Sequence, residues 1–178
     1  LPAIVLPLRR EPARDGLFWG AQGLAAVAAC LWSLALVWDH WRPDLASGVW
    51  ISIAATLLLF LAASAVSRSL WRLAVLLMPY LLLLGLLSLV PGGREPGGVQ
   101  AAGPMLWGHI LLGVATYGLL TLAAVAALAA FLQERALKQR RPTALTDLLP
   151  AMMEAEGQSI RLLTASEAVL GLGILTGG

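Results

Sequence analysis

The chain has 178 residues, of which 59% are hydrophobic and only 12% are charged, and its formal net charge is +2. Soluble domains usually carry about twice this charged fraction, so the apolar excess has to face lipid and the composition excludes a soluble enzyme. The single cysteine, Cys30, excludes a disulfide framework and a paired-thiol motif, and the scattered basic residues argue against nucleic acid as a partner.

The apolar blocks predict an all-α, polytopic membrane bundle that forms a single domain over residues 1–178. Each block is long enough to cross a hydrocarbon core of about 30 Å as a helix, and none alternates with the two-residue period of a barrel strand. We expect four complete spans and a truncated fifth, at about 17–38, 47–66, 73–91, 104–132 and 160–178. Residues 1–8 look like the tail of an earlier span, and the chain looks like a fragment, because it opens at Leu1 and stops inside an apolar run.

The orientation follows from the Lys and Arg residues between the spans, which number three, one, two, one and five along the chain. By the positive-inside rule, the basic loops, including residues 133–159, are cytoplasmic. Residues 39–46 and 92–103 are then external, and the second of these loops is a flexible Gly/Pro connector. Residues 143–163 mix polar and apolar side chains, which predicts a short amphipathic helix along the inner surface.

His109 lies near the external end of the fourth span, where ionisable side chains are rare and usually face the bundle interior or a cavity. Helical spacing places it on one stripe with smaller and polar residues, namely Gly113, Thr116, Tyr117 and Leu120. The glycine leaves room for a flat ligand, so the stripe suits an axial ligand of heme. A hydrogen bond from His109 to a neighbouring carbonyl, with Gly113 as a plain helix contact, stays open as the alternative.

The other external residues are weaker candidates. His40 is a second histidine that could pair with His109, although a loop histidine between tryptophans is usually solvated at the headgroup level. Arg42 and Arg94 suit heme propionates or lipid phosphates, and lipid contact explains them equally. An aromatic belt accounts for the tryptophans at the external helix ends without any cofactor; these are Trp38, Trp41, Trp50 and Trp107.

Glu167 lies about two turns into the fifth span from its inner end. A carboxylate at that depth is costly unless it is protonated, paired or hydrated. Arg161 and Ser166 are its candidate partners. A structural pairing and a place on a proton path both stay open, and the second makes a small proton-coupled transporter one alternative function.

The second half of the chain resembles the cytochrome c assembly family of heme-handling membrane proteins (CcsA/CcmC type), and most of all its shorter YpjD/HemX-like branch. The resemblance is carried by "WGHILLGVATYGLLTLAAVAALAAFLQERALKQRR", "LLPAMMEAEGQSIRLL" and "LGLGILTGG". The shared pattern is a span that opens with a histidine and ends in a basic loop, followed by an "LP…E" segment and a span with an "LLTG"-like end. Glu167 stands where relatives have small or apolar residues.

The resemblance implies that His109 is an axial ligand of a b-type heme near the outer leaflet, with a second histidine expected beyond Gly178 and His40 as a weaker substitute. Trp107, Gly113 and Tyr117 would line the cofactor. The implied protein hands heme to apocytochrome c or to other assembly proteins in a bacterial inner membrane, among its lipids, and has no catalytic residue of its own. A membrane scaffold that keeps the fold without heme is the other alternative.

Overall fold

The structure is a computed structural model that describes residues 15–38, 45–89 and 103–177. Within these ranges the chain forms helices and connecting turns and no strand. In chain order the α-helices are α1 Gly16–Trp38, α2 Leu45–Val66, α3 Ala74–Leu87, α4 Pro104–Gln139, α5 Ala144–Leu148 and α6 Met152–Gly177, and a 3₁₀ turn over Leu70–Leu73 precedes α3.

Five of these stretches are long and apolar enough to cross a membrane. They are α1, α2, the 3₁₀ turn together with α3, α4 and α6. No water is present in the hydrocarbon core to pair exposed backbone groups, so helices of this length are the structure that such a composition requires. The prediction of an all-α, multi-pass membrane protein is confirmed.

Two helices extend beyond the spans expected from the sequence. α4 continues to Gln139, although the predicted span ends at residue 132. Charged residues end the apolar stretch but not the helix, since Glu134 and Lys138 form an ion pair one turn apart on its surface. α6 starts at Met152, so the expected amphipathic segment 143–163 is divided at Pro150 into the short α5 and the first turns of α6.

The connection between α4 and α6 is tightly bonded. The amide nitrogen of Gln133 donates to the carbonyls of Thr146 at 2.8 Å and Pro150 at 3.1 Å. Thr143 and Thr146 form a reciprocal capping box at the start of α5. α4 itself ends at Arg140, which takes a left-handed conformation with φ 51°. Much of the predicted loop is therefore ordered helix and turn.

The core lies where α1, α2, α3 and α4 meet. Its most deeply buried large side chains are Phe60, Leu73, Leu77 and Leu122. α2 and α4 approach closely at Gly118, where a Cβ would lie 2.7 Å from Cδ1 of Leu59 and would displace the end of that side chain. A small residue at this point favours close contact between these two helices.

α6 packs antiparallel against α4 along much of its length. Ser159 Oγ donates to the Ala123 carbonyl at 3.0 Å near one end of the pair, and His109 meets Gly173 near the other. The Gln158 side chain also donates to Ser69 Oγ at 2.6 Å, which ties α6 to the turn that follows α2. The opposite face of α6 is exposed.

Candidate functional site

The imidazole of His109 is held by the last helix. Its Nδ1 lies 3.0 Å from the carbonyl oxygen of Gly173. The hydroxyl of Thr176 donates to the same oxygen at 3.0 Å. This is the neighbouring-carbonyl hydrogen bond that the sequence left open, and it joins α4 to α6 across 64 positions of the chain.

The hydrogen bond also determines which ring nitrogen is basic. A carbonyl oxygen only accepts, so Nδ1 carries the hydrogen in this contact. In the neutral ring, Nε2 then keeps its lone pair. Histidines that bind metals are typically held in this way: one ring nitrogen binds the metal, and the N–H of the other donates to a carbonyl or carboxylate. The structural hydrogen bond and a ligand role are therefore compatible.

Glycines on α6 make room for the imidazole. A Cβ at Gly177 would lie 2.5 Å from Cε1 and 2.7 Å from Nδ1 of His109, so no larger residue fits without moving the ring. At Gly173 a Cβ would meet only Leu112, at an ordinary 3.7 Å. His109 nevertheless keeps an exposed surface. The Nδ1–Cε1 edge of the ring is thus held against α6, while the residue as a whole remains exposed.

The residues of the predicted stripe on α4 differ in burial and do not share one site. Thr116 is buried, and its hydroxyl donates to the Leu112 carbonyl at 2.8 Å. Gly113 faces open space, since a Cβ there would meet nothing within 4 Å. Trp107 is 39% exposed. Tyr117 is 69% exposed and lines a groove of which His109 is not a part.

That groove runs between α2, α3 and α4 and consists of two adjoining cavities of about 420 and 390 Å³. Three residues line both cavities: Tyr80, Tyr117 and Thr121. The remaining lining is mainly apolar. Nothing in the sequence around Tyr80 singles it out, because the groove depends on helix packing that no local pattern specifies.

Glu167 is exposed on α6. Among the described residues it forms no ion pair, and the expected partner Ser166 is buried and donates instead to the Leu163 carbonyl at 2.7 Å. The pairing with Ser166 is therefore absent, because neighbouring residues on a helix point to different sides. The remaining external candidates lie outside the described residues; they are His40, Trp41, Arg42, Arg94 and the side chain of Trp38.

Within the described ranges, no three side chains of His, Cys, Asp or Glu come together as a metal-binding group. A heme iron takes its protein ligands from one or two axial side chains, so a single anchored histidine is enough for that group. The residues that sequence reasoning missed are Gly173 and Gly177. Their signal was present in "LGLGILTGG", where repeated glycines mark a close helix contact.

The chain is 47% identical over 184 residues to a protein of Azospirillum brasilense described as "Uncharacterized 28.8 kDa protein in nifR3-like 5'region". The alignment covers 99% of this chain and 68% of that relative. The chain belongs to the family of this Azospirillum protein. No known family profile matches the sequence, and no solved structure is significantly similar to it. The relative's description assigns no activity, so function has to be argued from the residues.

Proposed function

We propose that this member of the Azospirillum family is a heme-binding membrane protein of the cytochrome c assembly type, in a bacterial inner membrane. The observation that carries the proposal is the 3.0 Å contact between His109 Nδ1 and the Gly173 carbonyl. Because Nδ1 makes this contact, the lone pair of Nε2 is not used in it, and the residue as a whole remains exposed. This is the arrangement that an axial ligand needs.

The surroundings of His109 fit a flat apolar group. Gly113 lies one turn further along α4 and leaves open space beside the helix. Trp107 and exposed apolar side chains lie near the same end of α4, including Met105, Leu106 and Leu111. Heme is a largely apolar ring, so an apolar surface interrupted by one nitrogen donor suits it.

The roles of the chain's own residues follow from this geometry. His109 would bind the iron through Nε2, and Gly173 would hold the ring at the angle that this requires. Gly177 would keep the space into which the imidazole fits. Heme supplies the iron and its redox chemistry when bound, and in this proposal it is cargo that is passed to apocytochrome c or to another assembly protein.

The test is a hemin titration of the purified protein in detergent, followed by its Soret absorption. The native chain should bind hemin with a saturable Soret band, and His109→Ala should reduce the affinity at least tenfold, because direct ligation is lost. The matched control is His40→Ala, which should keep most of the binding if His40 is a headgroup-level residue. A native protein that shows no saturable Soret band would contradict the proposal.

The proton-coupled transporter is a second candidate, and it rests on Glu167. This residue is an exposed carboxylate on a helix that crosses the membrane and has no ion-pair partner among the described residues. Ionisable side chains in that setting often mark ion paths. Loss of proton-coupled flux in Glu167→Gln liposomes, with hemin binding unchanged, would favour this function over heme handling. A scaffold role without heme predicts that neither His109→Ala nor Glu167→Gln changes hemin binding or proton-coupled flux.

A further inference from the structure

The sequence contains two tyrosines, and both line the same groove. Tyr80 comes from α3 and Tyr117 from α4, and the two cavities on either side of them share both residues. The tyrosines are 41% and 69% exposed, so their rings border open space and are not part of the packed core.

Both tyrosines lie near the middle of stretches that are long and apolar enough to cross a membrane. Tyr117 is about 20 Å from Pro104 along α4 at 1.5 Å per residue. Tyr80 is about 12 Å beyond Arg72 on the same scale. Each therefore lies near the middle of a hydrocarbon core that is about 30 Å thick. Tyrosine is normally enriched at the two membrane interfaces, where its hydroxyl reaches water.

The two phenol hydroxyls have no hydrogen-bond partner among the residues that the structure describes. Across the described ranges, neither Tyr80 nor Tyr117 takes part in a hydrogen bond. The other hydroxyls on the α2 wall are satisfied, because Ser52 donates to the Gly48 carbonyl at 2.8 Å and Thr56 to the Ser52 carbonyl at 2.7 Å. An unpaired donor away from water is unfavourable. The groove thus presents two phenol donors that have no acceptor in the described part of the chain, so a bound molecule could accept their hydrogens.

The rest of the lining is uncharged and mainly apolar. Its polar members are Ser52, Thr56 and Thr121, and its apolar members include Leu76, Leu84, Leu120, Val125 and Leu128, with small residues such as Gly48 and Ala124. A charged ligand would be disfavoured here. Phospholipid chains are apolar enough but carry no acceptor at this depth, and their head groups lie at the interface.

We propose that this groove binds a quinone, a flat uncharged ring whose two carbonyl oxygens accept hydrogen bonds and whose isoprenoid tail is as apolar as the lining. The phenols of Tyr80 and Tyr117 would donate to the carbonyls, and the leucines would contact the ring and the first part of the tail. The combined cavities are of the size that small-molecule sites usually have, about 300–1,000 Å³. The proposal concerns binding only and does not depend on heme.

The test uses the full chain in nanodiscs with an azido-substituted short-chain ubiquinone as the photoaffinity probe and unlabelled ubiquinone-2 as the competitor. Labelling should map to peptides of α2, α3 or α4 that line the groove and should be reduced by the competitor. Tyr80→Phe and Tyr117→Phe should each raise the competitor's half-inhibition concentration about fivefold, as expected for one lost hydrogen bond, and the double variant should raise it more than tenfold.

Three further variants test whether the labelling depends on this groove or on substitution in the bundle as such. Thr164→Val removes a hydroxyl on α6, which donates to Ile160 at 3.0 Å, and should leave labelling unchanged. Ala124→Phe fills the groove without removing a polar group and should abolish labelling. His109→Ala should bind the probe normally, so that failure of the heme proposal and failure of this one are distinguishable. Labelling that is not competed, that maps outside the groove, or whose half-inhibition concentration is unchanged in the double Tyr→Phe variant would overturn the proposal.

Discussion

The imidazole of His109 lies so close to the backbone of Gly177 that a single added methyl group would collide with it, at 2.5 Å from Cε1. One helical turn earlier, the Gly173 carbonyl accepts the ring's Nδ1 hydrogen at 3.0 Å. The end of α6 thus leaves room for the one histidine of the described residues, through Gly177, and orients its ring, through Gly173.

Gly177→Ala should weaken heme binding without unfolding the protein. The new Cβ would force the His109 ring to turn and would break its hydrogen bond with Gly173. Loss of such a supporting contact typically costs 10–100-fold in metal affinity, so we expect the hemin Kd to rise about tenfold or more. Hemin titration monitored by the Soret band measures this.

The matched control for that variant is Gly171→Ala, because a Cβ at Gly171 would meet nothing within 4 Å. Its hemin Kd should equal that of the native chain. If both alanine variants bind hemin as the native protein does, the His109 ring is not the group that the end of α6 orients for binding.

Substitution of Gly113 should change hemin affinity without lowering the stability of the fold. A side chain at this position enters open space, and replacing glycine in a helix interior generally stabilises it by about 0.5–1 kcal/mol. Gly113→Leu should therefore keep or raise the thermal midpoint, while it obstructs a flat ligand beside His109 and lowers hemin affinity. Thermal unfolding in detergent and hemin titration are measured on the same sample. Unchanged hemin affinity in Gly113→Leu would show that the ligand does not lie against this turn.

A side chain at Gly118 should lower the stability of the bundle, in contrast to one at Gly113. At Gly118 a Cβ would lie 2.7 Å from Leu59 Cδ1, the flexible end of a side chain, and 3.5 Å from the Thr56 backbone, so a larger branched side chain would meet α2 itself. Gly118→Ile should destabilise the bundle by about 1–3 kcal/mol, as overpacked cores do. Thermal unfolding should show a lowered midpoint, and Gly113→Ala serves as the control that adds a side chain without a clash. A midpoint equal to that of the native protein would mean that α2 and α4 are further apart.

Gln133 should determine how firmly the α4–α6 connection is held. Its amide donates to the Thr146 and Pro150 carbonyls, and Gln133→Met would leave both carbonyls without this donor. Each such bond is worth about 0.5–1.5 kcal/mol. Limited trypsin digestion in detergent should therefore cleave faster after Arg140 in the variant.

Gln139→Met is the control for that experiment, because Gln139 is exposed at the end of α4. It should be digested at the native rate. Equal digestion rates for the native chain and Gln133→Met would show that the connection is held by other contacts, such as the Thr143–Thr146 capping box.

The sequence was sufficient for the number and type of the helices, since an apolar run of about 20 residues has one stable structure in lipid. It was less informative about where helices end. α4 passes Glu134 and continues to Gln139, because charge limits the membrane span while helix propensity and the ion pair with Lys138 continue the helix. The spacing of apolar residues does not distinguish the end of a membrane span from the end of the helix.

The candidate site was predictable only in part. Helical spacing identified His109 as unusual and placed Gly113 beside it, and both positions lie on one accessible part of α4. The contact with Gly173 joins residues 64 positions apart, so it depends on how α4 and α6 pack. The same packing separates Tyr117 from His109 and brings it to Tyr80, and no pattern within one helix could predict that pairing.

The central claim is that the Nε2 atom of His109 binds heme iron, and the most direct measurement is rescue by added imidazole. His109→Gly, purified in detergent and mixed with hemin, should show a weak Soret band that imidazole in the medium restores to the native position and intensity, because the free ring replaces the missing ligand in the space it leaves. The result that would contradict the account is a His109→Gly variant whose hemin spectrum already equals that of the native protein before any imidazole is added.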